Sequence, residues 1–270
     1  KKIVERVSRI VSSLDCINYV NIPEIIDENR NGMPLYRNLD PRIFASILRV
    51  EIDREFVVNK AVPYFESEEK FKAWLEETVF EHGIRSLVFV GGARGSINYP
   101  GPTVSDANFH ASKLAGLSIG NICIPGRKNE VERLVSKTES GCSFFTTQLL
   151  FEANTVKKLL MDYAFCCLEK GLEPGKFFLS FAPASELEDL DFFKWLGASI
   201  PVEVEGKLRK SRSLSKDSII LAVDLLSEVV EYVGGNRLPI PLSANIEAIS
   251  LHNLELAGEM AGRLNSDCIV

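Results

Sequence analysis

Short apolar runs alternate with longer amphipathic segments along almost the whole chain. Apolar runs bounded by turn residues are typical of buried strands, whereas apolar positions three and four residues apart indicate helices. The apolar runs predict seven strands, at residues 16–22, 56–62, 86–90, 119–124, 143–145, 176–181 and 238–242. The amphipathic segments predict helices at residues 1–14, 41–50, 68–82, 105–114, 128–139, 154–170, a short one ending at 196, then 217–233 and 250–264.

Local signals mark several of the predicted helix ends. Asp40 followed by Pro41 is typical of a helix start, because Asp accepts a backbone N–H and Pro lacks one. Ser67 and Ser105 are the predicted caps of the next two helices, and two glycines at 234 and 235 are predicted to end the helix before them.

The regular alternation of strand and helix predicts an α/β fold with parallel strands and right-handed crossovers. With a helix after each strand, it favours a (β/α)8 TIM barrel formed by residues 1–270 as one domain. One strand is then lacking, and we expect it to precede Lys1. An open, doubly wound sheet is the alternative.

Composition narrows the class of protein. The chain has 270 residues, 46% of them apolar, with a net charge of −6 and a pI near 5.3, which argues against nucleic-acid binding. No apolar run approaches the roughly 20 residues that span a membrane. The six cysteines lack CxxC spacing, and with only three histidines no metal site is predicted. We therefore expect a cytoplasmic protein with reduced thiols.

Three stretches after predicted strands offer candidate chemistry. Gly91 and Gly92 would let the backbone approach a ligand closely, although a plain loop explains them equally well. Glu130, Arg133 and Lys137 share one helix face, where they form either a solvated charged stripe or a contact to phosphate or ribose. Neither GxGxxG nor GxxxxGK[ST] occurs.

Two further stretches carry polar side chains. Thr146, Thr147 and Gln148 follow an apolar run, and the Gln148 amide both donates and accepts, as recognition of a heterocycle edge requires. The basic segment 207–216 would suit a phosphate, but a mobile surface loop is favoured.

The chain resembles methylenetetrahydrofolate reductases, most specifically in the stretch IGNICIPGRKNEVERLVSKTESGCSFFTTQLLFEANTV. That family has a lysine and then the pattern G-A-x-F-x-x-T-Q-x-F between its fifth strand and sixth helix. The residues that match it here in spacing are Lys137, Gly141, Phe145, Thr147, Gln148 and Phe151. Weaker similarity in EHGIRSLVFVGG and FAPASELEDLDFFKWLGASIPVEV extends the resemblance over most of the chain.

The resemblance implies a (β/α)8 barrel that binds FAD at the carboxyl ends of its strands. It also implies reduction of methylenetetrahydrofolate to methyltetrahydrofolate with electrons from a nicotinamide. Carried over by position, Gln148 would be the catalytic residue that contacts the pterin or the flavin ring. The residues that would hold the flavin are Gly91, Gly92, Ile124, Glu130, Arg133, Lys137 and Thr147.

Departures from the family pattern leave two forms of the reaction open. The family's Arg-Gly-Asp at the fourth strand is Gly91, Gly92 and Ala93 here, and KAVPYF has no histidine where the family has one. A substrate-stacking phenylalanine corresponds to Leu187, and the family's catalytic glutamate would precede Lys1. The chain would then use bound FAD, or take hydride directly from NAD(P)H.

The predicted function is reduction of a folate or another pterin, with NAD(P)H or a redox protein as electron donor. The sequence is also compatible with a homo-oligomer. One alternative is a tetrahydrofolate-dependent methyl transfer without flavin. The other is a non-catalytic or partner-dependent barrel subunit.

Overall fold

The computed structural model describes residues 2–28, 33–36, 38–92 and 97–267. Its strands are β1 (Tyr19–Ile22), β2 (Ile26–Glu28), β3 (Pro34–Tyr36), β4 (Glu55–Ala61), β5 (Ser86–Val90), β6 (Ser118–Cys123), β7 (Phe144–Leu149), β8 (Lys176–Phe181) and β9 (Leu242–Ile246). The helices are α1 (Lys2–Ser12), α2 (Pro41–Arg49), α3 (Glu68–Phe80), α4 (Val104–Ala111), α5 (Glu130–Glu139), α6 (Asn154–Glu169), α7 (Leu187–Trp195), α8 (Val202–Arg209), α9 (Leu214–Gly235) and α10 (Leu254–Asp267), with a 3-10 turn at Val62–Tyr64.

These elements divide into two compact units. Unit 1 comprises Lys1–Cys16, Cys123–Val135 and Phe145–Val270, and unit 2 comprises Ile17–Ile122 and Ser136–Phe144. In both units helices follow the main strands, so the predicted α/β class is confirmed.

Unit 2 contains the parallel strands β1, β4, β5 and β6, hydrogen-bonded in that order. In the register of these strands, Asn21 lies opposite Val57 and Val88 lies opposite Gly120. The order of the four strands in the sheet is also their order along the chain. The predicted parallel pairing is confirmed here. The small antiparallel pair of β2 and β3, between β1 and α2, was not predicted from the sequence.

Two of the predicted helix caps are confirmed in unit 2, and one is wrong. The Asp40 carboxylate accepts the Arg42 N–H at 2.9 Å, and the Ser67 hydroxyl accepts the Lys70 N–H. The cap of α4 is Thr103 rather than Ser105. Thr103 exchanges hydrogen bonds with Asp106 in a capping box, because that spacing satisfies two free backbone N–H groups at once.

Replacing Thr103 by Ala is expected to lower the free energy of unfolding by about 1 kcal/mol, the usual cost of losing an N-cap side chain. Ser105→Ala is the matched control, with an expected change within about 0.5 kcal/mol. Urea denaturation of both variants measures the difference. A larger loss in Ser105→Ala than in Thr103→Ala would contradict the assigned cap.

Unit 1 contains β7, β8 and β9, which are neighbours in that order. β8 and β9 run parallel, with Phe177 opposite Leu242 and Ser180 opposite Asn245. The rings of Phe145, Phe177 and the α6 residue Tyr163 pack together at centroid separations of 5.1–5.8 Å. All three side chains are fully buried, so this cluster holds α6 against the strands.

One strand prediction in unit 1 was wrong. The last strand is Leu242–Ile246 rather than 238–242, because Pro239 and Pro241 lack the N–H groups that a strand ladder uses. β7 runs from Phe144 to Leu149, so Thr146, Thr147 and Gln148 lie in the last part of the strand, as predicted.

Two other predictions in unit 1 were wrong. The glycines at 234 and 235 belong to α9, whose C-cap is Asn236. The basic segment 207–216 is no loop, since most of it lies in α8 and in the first turn of α9.

Apart from the antiparallel pair β2 and β3, the described residues contain seven strands. An eighth strand of a barrel is not found among them, and closure into a (β/α)8 barrel stays a prediction. Within those same ranges, no helix has the length and apolar character needed to cross a membrane.

Candidate functional site

The strands of unit 1 have one apolar face and one polar face. Side chains alternate along a strand, and Phe145 and Phe177 point to Tyr163 of α6. The apolar face therefore packs on helices. The opposite face carries a row of polar side chains, here called the polar face: Thr146 and Gln148 of β7, Ser180 of β8, Ser243 and Asn245 of β9, and Glu247 just after β9.

Hydrogen bonds join β8 and β9 across the polar face. The Asn245 Nδ2 donates to Ser180 Oγ at 2.9 Å and to Glu247 Oε1 at 3.2 Å. Ser180 is fully buried, whereas Asn245 and Glu247 are half-buried. These three residues form a polar cluster at the carboxyl ends of two parallel strands, which is where α/β enzymes place ligand sites.

Glu247 is the one carboxyl group of this cluster. Burial raises the pKa of Glu247 above its ordinary value, and a hydrogen bond with Ser180 offsets only part of that rise. No charged side chain acts on this carboxyl in the ranges that the structure describes. Glu247 therefore holds a proton to higher pH than an ordinary glutamate does.

Replacing Glu247 by Gln is expected to raise the thermal unfolding midpoint at neutral pH. The folded-state pKa lies above the unfolded value, so wild-type stability falls as the pH rises from the unfolded pKa through the folded one. The stability gained by the uncharged variant should grow with pH across that window and vanish in more acidic solution. Thermal melts of both proteins over a pH series test this, and a gain that does not vary with pH would contradict it.

Gln148, the predicted catalytic residue, lies near the end of β7 on the polar face. Its Nε2 donates to the Leu196 carbonyl at 3.0 Å, and its Oε1 accepts the Leu149 N–H at 2.9 Å. These bonds fix the plane of the amide. An amide has two N–H groups and two acceptor lone pairs, so within the described residues one of each has no hydrogen-bond partner.

Thr147 makes a contact within the sheet. Its buried Oγ1 accepts the Ser180 N–H at 2.9 Å. The side chain therefore links β7 to β8 and fixes the position of Ser180 relative to β7. This hydroxyl oxygen thus has a partner inside unit 1.

Ile124 and Glu130 are brought together after β6. Glu130 is buried, with Oε1 accepting the Ile124 N–H at 2.9 Å and Oε2 accepting from Arg127 Nε at 2.6 Å. Arg133, one helical turn later, is exposed instead. Glu130 and Arg133 therefore do not share one exposed helix face as predicted. Glu130 instead bonds to the loop before α5 and fixes its conformation.

The remaining predicted cofactor residues lie in unit 2. Lys137 Nζ donates to the Ile122 carbonyl at 2.6 Å. Gly91 and Gly92 are exposed, and a Cβ on Gly92 would lie 2.4 Å from the Tyr99 ring, so a larger residue there would have to displace that ring. Ala93 lies outside the described residues.

Three of the seven residues that the resemblance places on FAD have polar groups that bond within the protein. The Ile124 N–H donates to Glu130, the Glu130 carboxylate also accepts from Arg127, and the Thr147 hydroxyl oxygen accepts the Ser180 N–H. Contact of FAD with the other four residues, Gly91, Gly92, Arg133 and Lys137, stays a prediction.

Unit 2 has a separate polar arrangement at the carboxyl ends of β1 and β4. Glu24 Oε1 lies 2.5 Å from Lys60 Nζ, and Glu24 Oε2 accepts the Ala61 N–H at 2.8 Å. The buried Oδ1 atoms of Asn21 and Asn59 have no hydrogen-bond partner within the described part of the chain. Both side chains of the ion pair are largely buried, so the pair is a structural contact within unit 2.

Ser180, Asn245 and Glu247 were not predicted from the sequence. A signal was present in LSANIE, where Ser243, Asn245 and Glu247 alternate with apolar residues as in a strand with one polar face. Because the strand was predicted at 238–242, the alternation that follows at residues 243–247 was not interpreted as a strand. Across the described ranges, no group of three or more His, Cys, Asp or Glu side chains is placed to hold a metal ion.

The fold places the chain among α/β proteins, with a polar face at the carboxyl ends of the strands of unit 1. A sequence profile of mycobacterial methylenetetrahydrofolate reductase matches residues 4–254. The match covers most of the chain, and the chain belongs to the methylenetetrahydrofolate reductase family.

Solved structures share the fold. An uncharacterized protein from Clostridium thermocellum that binds two copies of 5-methyl-5,6,7,8-tetrahydrofolic acid matches with a TM-score of 0.79 and 22% identity, over 100% of this chain and 89% of that one. The EDTA monooxygenase of Chelativorans sp. BNC1 matches with a TM-score of 0.52 and 10% identity, over 98% of this chain and 87% of that one. At these identities the likeness concerns the fold alone. No curated protein matches the chain in sequence.

Proposed function

We propose that this chain reduces methylenetetrahydrofolate to methyltetrahydrofolate with electrons from NADH or NADPH. Membership of the reductase family supports a role in folate chemistry. The observation that carries the proposal is the polar face, which has the Gln148 amide on β7 and the hydrogen-bonded side chains of Ser180 and Asn245 on β8 and β9.

Gln148 binds the pterin in this proposal. Its amide plane is fixed by Leu196 and Leu149, and the free N–H and lone pair point to complementary groups on a heterocycle edge. A fixed amide has little conformational freedom to lose on binding, which favours affinity for a ligand of matching shape.

The hydride passes directly from the nicotinamide to the folate in this proposal. Three of the seven residues expected to hold a flavin, Ile124, Glu130 and Thr147, use polar groups inside the protein, which supports a reaction without bound flavin. A protein that binds FAD by other residues is the competing form of the same reaction.

The absorption spectrum of the purified full-length protein, with and without added FAD or FMN, separates these two forms. We expect no flavin absorbance after gel filtration. We also expect NADH or NADPH to be oxidised when methylenetetrahydrofolate is added, with methyltetrahydrofolate as the product. Flavin that stays bound would favour the FAD-dependent form, whereas no product with either nucleotide, even after flavin is added, would overturn the proposed reduction.

Replacing Gln148 by Leu is expected to lower kcat/KM for the folate by about 10- to 100-fold, because the variant loses one or two hydrogen bonds to a polar ligand. Asn236→Ala, at the exposed end of α9, is the control and should leave kcat/KM unchanged. Steady-state kinetics at fixed nucleotide concentration measure both. An unaltered kcat/KM in Gln148→Leu would remove Gln148 from the site.

Binding of a methylated folate without reduction is a second candidate. The structural neighbour from Clostridium thermocellum binds 5-methyl-5,6,7,8-tetrahydrofolic acid, which favours it. Calorimetric titration with methyltetrahydrofolate tests it. Tight binding without any nucleotide oxidation would support this candidate over the reductase.

A further inference from the structure

The solvent-facing side of α2 is apolar. Four aliphatic residues, here called the α2 stripe, are between 43% and 84% exposed: Leu39 just before the N-cap of the helix, then Ile43, Ile47 and Val50. Residues three or four positions apart lie on the same face of a helix, so the last three form one row along α2. A helix at a protein surface normally turns such a face to the core.

The charged side chains of the same segment contact other parts of unit 2. Arg42 is buried and forms ion pairs with Asp40 at 2.8 Å and with Glu77 of α3 at 3.0 Å. Arg49 donates from Nη1 to the His82 carbonyl at 2.8 Å. The two arginines of α2 are thus directed to α3 and the residues after it, while the large side chains on the exposed face are uncharged. This is the reverse of the usual amphipathic arrangement.

The α2 stripe is large enough to form the core of an interface. Four aliphatic side chains exposed to this degree present apolar surface on the order of a few hundred Å², and patches of that size are often interaction sites. A standard protein–protein interface buries about 800 Å² per partner, a little over half of it apolar. The stripe therefore supplies a large part of the apolar area that one partner contributes to a stable dimer.

A second copy of this chain suits the α2 stripe. In a two-fold dimer the same surface meets itself, so any charge on the axis would face a like charge, and the four side chains of the stripe carry none. A two-fold axis perpendicular to α2 makes the two helices antiparallel. The positive N-terminal end of each helix dipole then lies beside the negative C-terminal end of the other.

We propose that two copies of this chain associate through the α2 stripe, with the two α2 helices antiparallel across a two-fold axis. Ile43 and Ile47 lie at the centre of this contact, and the Leu39 end of one stripe meets the Val50 end of the other. The stripe shares no residue with the polar face, so the inference goes beyond the proposed reduction and does not depend on it.

Sedimentation velocity of the purified full-length protein, from low to high micromolar concentration, tests the contact. Ile47→Lys places a lysine from each copy at the centre of the contact. Ile220→Lys is the matched control, since Ile220 of α9 is 48% exposed and Ile47 is 43% exposed. We expect wild type and Ile220→Lys to sediment as dimers at the upper concentrations. Ile47→Lys should raise the dissociation constant of the dimer by about 100-fold or more, because like charges that face each other oppose association.

Two further measurements guard against a folding defect. Circular dichroism should show that Ile47→Lys keeps its fold, because Ile47 is exposed in a single copy. Amide hydrogen exchange of wild type needs no variant at all. Exchange at residues 43–50 should slow as the protein concentration rises, since association covers this face of α2.

A wild type that stays monomeric at every concentration overturns the inference. In that monomer, slow exchange at residues 43–50 would mean that another part of the same polypeptide covers the stripe, and rapid exchange would leave the stripe to a different protein. A dimer that Ile47→Lys does not weaken also overturns the inference, because its contact then lies elsewhere on the surface.

Discussion

Replacing Phe177 by Ala is expected to lower the free energy of unfolding by about 3–5 kcal/mol, the usual cost of truncating a fully buried phenylalanine. Phe177 is fully buried, and its ring lies 5.1 Å from Phe145 and 5.5 Å from Tyr163 between centroids. The truncation removes apolar burial and leaves a cavity between β8 and α6. Since domains have only about 5–15 kcal/mol of stability in all, this is a large fraction.

Phe178→Ala provides the matched control, because the two side chains are adjacent on one strand and point to opposite faces. Phe178 is only half-buried, so we expect a loss well below that of Phe177→Ala. Guanidinium denaturation followed by circular dichroism compares the two. Equal losses would contradict the assignment of one strand face to the helices and the other to the polar face.

Replacing Glu24 by Ala is expected to cost about 3–5 kcal/mol, because removing one partner of a buried ion pair leaves the other charge desolvated. The side chains of Glu24 and Lys60 are 7% and 12% exposed. The Lys60 ammonium also lies 5.0 Å from the Phe65 ring centroid, and this contact places the expected loss nearer 3 than 5 kcal/mol.

The double variant Glu24→Leu with Lys60→Met controls for the loss of packing. Apolar side chains of similar length need no counter-charge, so the double variant should be more stable than Glu24→Ala. Denaturant titration of wild type, Glu24→Ala and the double variant compares their free energies of unfolding. A double variant no more stable than Glu24→Ala would contradict the unpaired Lys60 charge as the source of the loss.

Local sequence signals predicted those elements that neighbouring residues control. Asp40 and Ser67 were identified as caps because a cap bonds the backbone two or three residues away. The α4 cap was missed because Thr103 and Ser105 are both hydroxyl residues close to the helix start. The spacing from Thr103 to Asp106 distinguishes them.

The roles of the candidate site residues depended on contacts that sequence spacing does not reveal. Glu130 and Arg133 share a helix face by spacing, yet the loop before α5 folds so that Glu130 is buried against the Ile124 N–H. Thr147 and Gln148 are adjacent in the chain, but the alternation of the strand points them to opposite faces. One bonds β8, and the other keeps donor and acceptor capacity for a ligand.

The sequence by itself determined the α/β class, the parallel pairing of consecutive strands and the reductase family, because these follow from periodicity and from one well-spaced motif. The tertiary structure decided which polar groups remain available for chemistry. Ser180, Asn245 and Glu247 become neighbours through the register of β8 and β9, although 67 residues separate the first from the last. Hydrogen bonding and burial act over a few ångströms of space, so the state of the Glu247 carboxyl is set by residues that are distant in the chain.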